Sequence, residues 1–502
     1  MKIKSLLAKP FASYIYRQIK KSMATAVADQ QDIFNSLIKS AAKTNFGTDH
    51  NFGAIKSHVD FIKEVPIKDY EGLVPYINKI KEGKHNVLWK GRPIYFAKTS
   101  GTTSGVKYIP ITKESIPNHI NSARNALLCY MAETGNSAFA DGKLIFLSGS
   151  PELERIGDIP TGRLSGIVNH HVPKYLRSNQ LPSFETNCVE DWETKLDKIV
   201  DETVNENMTL ISGIPPWVQM YFDKLAERSG KKVGELFPNF NLMVQGGVNF
   251  EPYKAKLTES IGRTIDTIEL FPSSEGFIAF QDSQKEPGML LNTNSGIFYE
   301  FVPVAEIDKE NPTRLTLKDV KAGENYALII SSNAGLWAYN LGDTVKFVST
   351  DPYRLVVTGR TKHFISAFGE HVIIEEVEAA ALAVAEKTGA SIREFSVAPM
   401  IGAADGSYHE WFIEFEQLPH DLAAFASALD DEIRNKNVYY DDLLAGNILL
   451  PLKITPVRKN GFLDYMKGIG KLGGQNKVAR LGNDRKVADA LQPFLLISTP
   501  IT

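Results

Sequence analysis

Between residues 143 and 271, apolar runs of strand length alternate with helical stripes, and this alternation most limits what the chain can fold into. Lys143-Leu144-Ile145-Phe146-Leu147 reads as a buried strand and Thr209-Leu210-Ile211 as another. A helix opens at Pro215-Pro216, carries Trp217, Met220, Tyr221 and Leu225 on one face and stops at Gly230. Leu242-Met243-Val244 then runs into Gly246-Gly247, and Thr267-Ile268-Glu269-Leu270-Phe271 runs into a polar turn. Parallel strands are joined by helical crossovers of this kind, so the expected class is α/β.

The flanks differ. Ile94 and Phe96 alternate with polar neighbours, Tyr108-Ile109-Pro110-Ile111 is a second extended run, and Ile116, Ile120, Ala123, Leu127 and Met131 form a helical stripe. Pro117 suits that helix only in its first turn. From roughly 289 to 358 short strands dominate, Tyr326-Ala327-Leu328-Ile329-Ile330 being the clearest. The pattern changes after Gly359-Arg360. A helix is expected over 372–388 with Ile373, Val377, Ala380 and Val384 on one face. An alternating strand through Trp411, Ile413 and Phe415 follows, then a helix over about 420–436. These patterns predict a large N-terminal domain of mixed sheets flanked by helices over residues 1–358, a hinge at 359–362, and a small, mobile α+β domain over 363–502. A chain of 502 residues is in any case too long for one ordinary core.

Composition removes several classes. A formal charge of -3 lacks the basic excess of a general nucleic-acid binder. Cys129 and Cys188 are the only cysteines, so a disulfide framework is excluded, and neither sits in a metal-binding pattern. Near the N-terminus Ile15, Ile19 and Met23 fit an amphipathic helix, and Lys9, Pro10, Arg17 and Lys20 break any targeting-type apolar run. No stretch approaches the ~20 apolar residues of a membrane span. The expected location is the cytoplasm.

The chemistry is concentrated in five segments. In Thr99-Ser100-Gly101-Thr102-Thr103-Ser104-Gly105-Val106-Lys107, Gly101 and Gly105 allow close backbone approach, the hydroxyls and N–H groups can hold phosphate oxygens, and Lys107 supplies a cation. It is not a Walker A loop: the glycines are four apart, Lys107 does not follow Gly105 directly, and the flanks read as strand–loop–strand. Phe271-Pro272-Ser273-Ser274-Glu275-Gly276 offers an aromatic face, hydroxyl donors and, in Glu275, a hard oxygen ligand suited to magnesium on phosphates. Asp343, after Gly342 in a turn, can accept ribose hydroxyls. Gly359-Arg360-Thr361-Lys362 lies where a hinge would bend, and Lys477 stands on a glycine-flanked loop, Gly473-Gly474-Gln475-Asn476-Lys477. Taken singly each segment has an ordinary explanation as a turn, a solvated carboxylate or a surface charge; their order and spacing do not.

In that order the segments resemble the adenylate-forming superfamily of acyl-CoA synthetases, peptide-synthetase adenylation domains and luciferases. The sequence is most similar to the auxin-responsive Gretchen-Hagen family of acyl-acid amidosynthetases, through Ser100–Gly105, Phe271–Glu275 and Gly296-Ile297-Phe298-Tyr299-Glu300-Phe301. The resemblance runs from about residue 25 to about residue 490. It implies that ATP and Mg2+ activate a small carboxylic acid as acyl-AMP, which an amine, with an amino acid the expected acceptor, converts to an amide. It further implies that Ser100, Thr102, Thr103 and Ser104 line the phosphates and that Ser274 donates to the α-phosphate beside Ser273. Glu275 would hold magnesium, Gly246, Gly247 and Phe271 would bracket adenine, Asp343 would take the ribose with support from Arg360, and Lys477 would reach the reacting carboxylate.

Two other readings stay open: an acyl-CoA ligase sharing the first half-reaction, and a nucleotide-binding protein without catalysis. A hydrolase is disfavoured, since Ser148 lacks the nucleophile-elbow pattern and His170-His171 has no evident partner. The acid pocket is expected among the helix at 115–132, the segment 164–173 and the helix starting at Pro215.

Overall fold

The computed structural model describes residues 3–99, 107–172, 178–189, 191–247, 250–361, 364–365, 367, 370, 372–403, 406–445, 449–472, 476–482 and 484–496. They form two compact units, one extending to Val357, the other running from Thr358 to Leu472 and again from Asn476 onward.

In the first unit the alternation after residue 143 becomes parallel pairing. Gln180–Leu181, Lys143–Phe146, Met208–Gly213, Leu242–Gly246 and Asp266–Ser273 lie side by side in that order, each parallel to the next. Gly276–Phe280 then folds back antiparallel on Asp266–Ser273. Met289–Leu291, Tyr353–Arg360, Tyr339–Thr350, Asn325–Ser332 and Ile297–Pro303 extend the sheet to eleven strands among the described residues. The strands after 289 are not all short: Tyr339–Thr350 has 12 residues. A register shift at Gly342 bends this strand without ending it, as a bulge does.

The helices follow their sequence signals. Pro215–Ser229 starts on its two prolines and stops where Gly230 adopts φ 67° and returns its N–H to Ala226. Ile3–Ala41 presents Ile15, Ile19 and Met23 to a cluster that includes Ala126, Cys129 and Tyr130 of helix Ile116–Thr134. A smaller sheet carries the hairpin of Tyr95–Thr99 and Lys107–Ile111, antiparallel with Thr99 opposite Lys107.

The second unit packs helices Ile374–Thr388 and Leu422–Lys436 against one face of the sheet Ser391–Ala403, Gly406–Gln417, Leu450–Val457. Val377, Ala380 and Val384 meet Phe395, Trp411, Ile413, Phe425 and Leu429 there. Phe412, pointing the other way along the same strand, joins Val457, Phe462 and Leu491. No described helix is long and apolar enough to cross a membrane.

Candidate active site

The site is built where parallel strands end. Open α/β sheets bind ligands outside the carboxyl ends of their parallel strands, and the last parallel strand here, Asp266–Ser273, turns through Ser274-Glu275 into the antiparallel Gly276–Phe280. The turn is held internally: Ser273 Oγ donates to Glu275 Oε2 at 3.1 Å and accepts from the Glu275 N–H at 3.2 Å. Ser274 is buried beside them. From helix Ile116–Thr134, Asn118 Oδ1 accepts the Phe277 N–H at 2.6 Å while its amide donates to the Phe277 carbonyl at 3.1 Å. Asn292 donates to that carbonyl at 2.9 Å. A Cβ at Gly276 would press on the Cδ1 methyl of buried Ile297, so glycine lets the turn sit close to its support.

Gly246 stands opposite Leu270, one residue before Phe271. A Cβ at Gly246 would overlap the Leu270 carbonyl, so the strand ends approach more closely than any other residue allows. Gly247 follows with φ 83°, which favours glycine. Phe271 is 8% exposed and belongs to the main core. The structure thus groups Gly246, Gly247, Phe271, Ser273, Ser274 and Glu275 on two adjacent strand ends.

A second wall comes from Tyr339–Thr350. The Tyr339 hydroxyl donates to Glu275 Oε1 at 3.2 Å. Tyr339 is itself seated by a segment distant in sequence: the Lys68 N–H donates to the Ala338 carbonyl at 3.1 Å, and the Asn340 N–H to the Lys68 carbonyl at 2.8 Å. Tyr70, two residues on, accepts the Tyr108 N–H on its hydroxyl at 2.9 Å, and Lys107 Nζ lies 5.9 Å from its ring centroid. Asp343 lies half-buried inside a strand and not in a turn. Gly342 at φ 85° makes the bulge that presents it, with its N–H on Asn340 Oδ1 at 2.9 Å.

The electrostatics follow from this grouping. Burial pushes the Glu275 carboxyl above its ordinary range; its own backbone N–H and the Lys107 ammonium pull it back, and Asp343 pushes it further up. Burial beside Glu275 drives the Tyr339 phenol far up, keeping it a donor. Among the described residues no group of three or more His, Cys, Asp or Glu side chains could hold a metal alone. Asp343 raises the cost of ionising Glu275, and two hard-oxygen groups of this kind would suit a magnesium ion that takes its other ligands from phosphates and water.

Other expected residues fall differently. Ser100, Gly101, Thr102, Thr103, Ser104 and Gly105 lie outside the described residues, as do Lys362 and Gly473–Gln475; the flanking Thr99 and Lys107 are in place. Arg360 ends the strand Tyr353–Arg360. Lys477 is exposed, in an irregular segment of the second unit. The Ser148 carbonyl accepts from buried Lys195 at 2.9 Å, and His170 Nε2 lies 2.8 Å from the Pro151 carbonyl, both structural arrangements. A cleft of about 490 Å3 opens between Ile3–Ala41 and Ile116–Thr134, and of the residues just described it is bordered by Asn118 and Asn292. Tyr70, Asn118 and Tyr339 were not singled out in sequence. Tyr339 lies just four residues before Asp343, but nothing local marks Asn118 or Tyr70.

Three domain families with one name match the chain: the GH3 family N-terminal domain over residues 15–187, the GH3 family central domain over 290–360 and the GH3 family C-terminal domain over 375–486. Jasmonoyl–L-amino acid synthetase JAR4 of Nicotiana attenuata is 22% identical over 63% of this chain; the match spans 66% of that protein's length. The probable indole-3-acetic acid-amido synthetase GH3.1 of Arabidopsis thaliana is 20% identical over 95% of this chain and 92% of its own. Among solved structures, a GH3.15 acyl acid amido synthetase superposes with a TM-score of 0.79 at 14% identity, over 95% of this chain and 96% of that one. A 2-hydroxyisobutyryl-CoA ligase with 2-HIB-AMP gives 0.57 at 13% identity, over 94% and 92%. Both likenesses establish the fold, and the mixed α/β class read from the sequence agrees with them.

Proposed function

The chain belongs to the GH3 family, and from that membership we propose that it uses ATP and Mg2+ to activate a small carboxylic acid as acyl-AMP and then transfers the acyl group to an amine, an amino acid in this reading, giving an amide. Its relatives are named as synthetases that join jasmonate or indole-3-acetate to amino groups. The observation that carries the reading is the Glu275 cluster: a carboxylate raised by burial, gripped by Ser273 and Tyr339, and facing Lys107 and Asp343.

The first half-reaction brings an anionic carboxylate to an anionic triphosphate. Donors and cations must therefore collect where charge spreads around the α-phosphate. Ser100, Thr102, Thr103 and Ser104 would cradle the phosphates with Gly101 and Gly105 allowing the approach, Lys107 adding charge from the hairpin. Ser274 would donate to the α-phosphate. Glu275 would anchor the magnesium ion, which offsets phosphate charge when bound. Gly246, Gly247 and Phe271 would flank adenine, and Asp343 would accept the ribose hydroxyls with Arg360 in support. Lys477 would bring an ammonium to the reacting carboxylate; at ~4 Å and an effective dielectric of ~20 one such charge is worth about 4 kcal/mol. Residues 1–358 and 363–502 act as domains joined by a hinge at Arg360–Lys362. The two cysteines, both free, accord with work in the cytoplasm.

The test is acid-dependent pyrophosphate exchange over a panel of aryl, indole and fatty acids, followed by mass spectrometry with mixed amino acids. Exchange plus an amide product is expected. A thioester with coenzyme A and no amide with any amine would make the chain an acyl-CoA ligase, and ATP binding without exchange would make it non-catalytic.

A further inference from the structure

Three residues beyond Lys477 the chain is clamped. The Arg480 side chain is 10% exposed, with Nη1 2.6 Å from Glu378 Oε1 and Nε 2.7 Å from Glu394 Oε1. Glu378 lies on helix Ile374–Thr388 and Glu394 on strand Ser391–Ala403, so one guanidinium ties two elements of the second unit together. Its plane also sits over Phe395, 5.0 Å from the ring centroid. The backbone is tied down as well: Ser396 Oγ donates to the Ala479 carbonyl at 2.7 Å and the Val397 N–H to the Arg480 carbonyl at 2.9 Å. The Gly482 N–H returns to the Val397 carbonyl at 3.0 Å, and Leu481 is 1% exposed.

Residues 479–482 are therefore laid along the edge of a strand, whereas Asn476-Lys477-Val478 belongs to no helix or strand. Three residues of chain reach at most about 10 Å. Whatever position Lys477 takes is thus measured from the Arg480 anchor. A planar fork shared between two carboxylates holds an orientation that a flexible ammonium would not.

We propose that Arg480 is a positioning residue for Lys477: the Glu378–Arg480–Glu394 clasp sets the origin from which Lys477 reaches the reacting groups. This rests on the role given to Lys477 above. Arg480 touches no substrate. It acts by reducing the disorder of the segment that carries Lys477, so its loss appears in the rate of the adenylation step and not in ATP binding.

The experiment is a double-mutant cycle on the full chain, read as acid-dependent pyrophosphate exchange, with Lys477→Ala, Arg480→Gln and the pair. Arg480→Gln should lower kcat by about 10- to 100-fold with the KM for ATP unchanged, as misplacement of a reacting group does. In the Lys477→Ala background the same change should cost less than about twofold, because the residue through which it acts is gone. Glu394→Gln keeps the Arg480–Glu378 pair and supplies the same cycle should Arg480→Gln fail to fold. Equal losses in both backgrounds would make the clasp merely structural and overturn the proposal, as would a wild-type kcat in Arg480→Gln. Wild-type exchange in Lys477→Ala alone would remove the role of Lys477 and this proposal with it, leaving acid activation by the wild-type chain standing.

Discussion

The Tyr339 hydroxyl donates to Glu275 Oε1 at 3.2 Å and so joins the bulged strand that carries Asp343 to the turn that carries Ser274. That contact keeps the Glu275 carboxylate in a buried setting, where the balance of burial, Asp343 and Lys107 sets its charge. If the carboxylate form is the working one, the acid limb of the exchange profile should lie above the ~4.3 of an unperturbed Glu. Lys107→Met removes a cation that opposes the shift, so the limb should move to higher pH; Asp343→Asn should move it lower. Both variants lose rate, but the midpoint of the limb in kcat/KM, which reports the free enzyme, is read independently of its height. A limb unmoved, or moved down, in Lys107→Met would break the assignment.

The same shift has a consequence for stability. A carboxyl whose folded pKa is raised binds protons more tightly in the folded than in the unfolded chain. Its contribution is therefore lost as pH rises from the unfolded pKa through the folded one. Glu275→Gln removes that penalty. The variant should have a higher Tm than wild type at neutral pH, the advantage vanishing below about pH 4 where both states are protonated. Exchange activity should fall by about 100-fold or more, a loss of the size seen when one charge-stabilising group is removed from a site. A Tm below wild type at pH 7 would show that the charge is compensated and not strained.

Period and composition made the parallel strands, the hairpin at 95–111 and the two-helix core of the second unit legible, because each is a local pattern of burial. The turn Phe271–Gly276 was legible for the same reason: a strand, two hydroxyls and a carboxylate within six residues. What escaped depends on distance. Lys68 pairs with Tyr339 and Asn118 with Phe277, and nothing at residue 68 or 118 announces a partner so far along the chain. Asp343 was misplaced in a turn because Gly-Asp signals one; the bulge at Gly342 depends on the register of Asn325–Ser332, which only the folded sheet sets. The eleven-strand continuity of the sheet is likewise a property of pairing, not of any one segment.

A buried ion pair holds Ile297–Pro303, the edge strand of the large sheet. Arg314 grips Glu300 with two bonds at 2.8 and 2.7 Å and donates to the Val65 carbonyl at 2.6 Å, while His58 Nε2 meets Glu300 at 2.7 Å. Burial alone would push the Glu300 carboxyl up, but Arg314 and His58 hold it below its ordinary value. Its stabilising contribution is therefore present above the unfolded pKa of ~4.3 and lost as pH falls through the lower folded value. Arg314→Met should cost about 3–5 kcal/mol in urea unfolding at pH 7, because it leaves a buried charge without its main partner. The deficit should narrow toward pH 4, where Glu300 in the variant can take a proton. A deficit constant with pH would mean that packing, not charge, is what Arg314 supplies.

Asn118 gives the sharpest separation between holding the site and being part of it. Its side chain is 7% exposed and satisfies both backbone groups of Phe277, one residue after Gly276. Asn292 also donates to the Phe277 carbonyl, so Asn118→Ala leaves that oxygen paired and orphans the N–H. One buried unsatisfied donor costs about 1–3 kcal/mol, which should appear as a lower urea midpoint with an unchanged slope. The freed turn carries Ser274 and Glu275, so exchange should fall further than stability explains, by about tenfold in folded protein at saturating ATP, as expected when donors aimed at the phosphate lose their alignment. Asn118→Asp retains an acceptor for the Phe277 N–H and should recover part of the stability. A full loss of stability with normal exchange in Asn118→Ala would show that the turn keeps its geometry without this side chain.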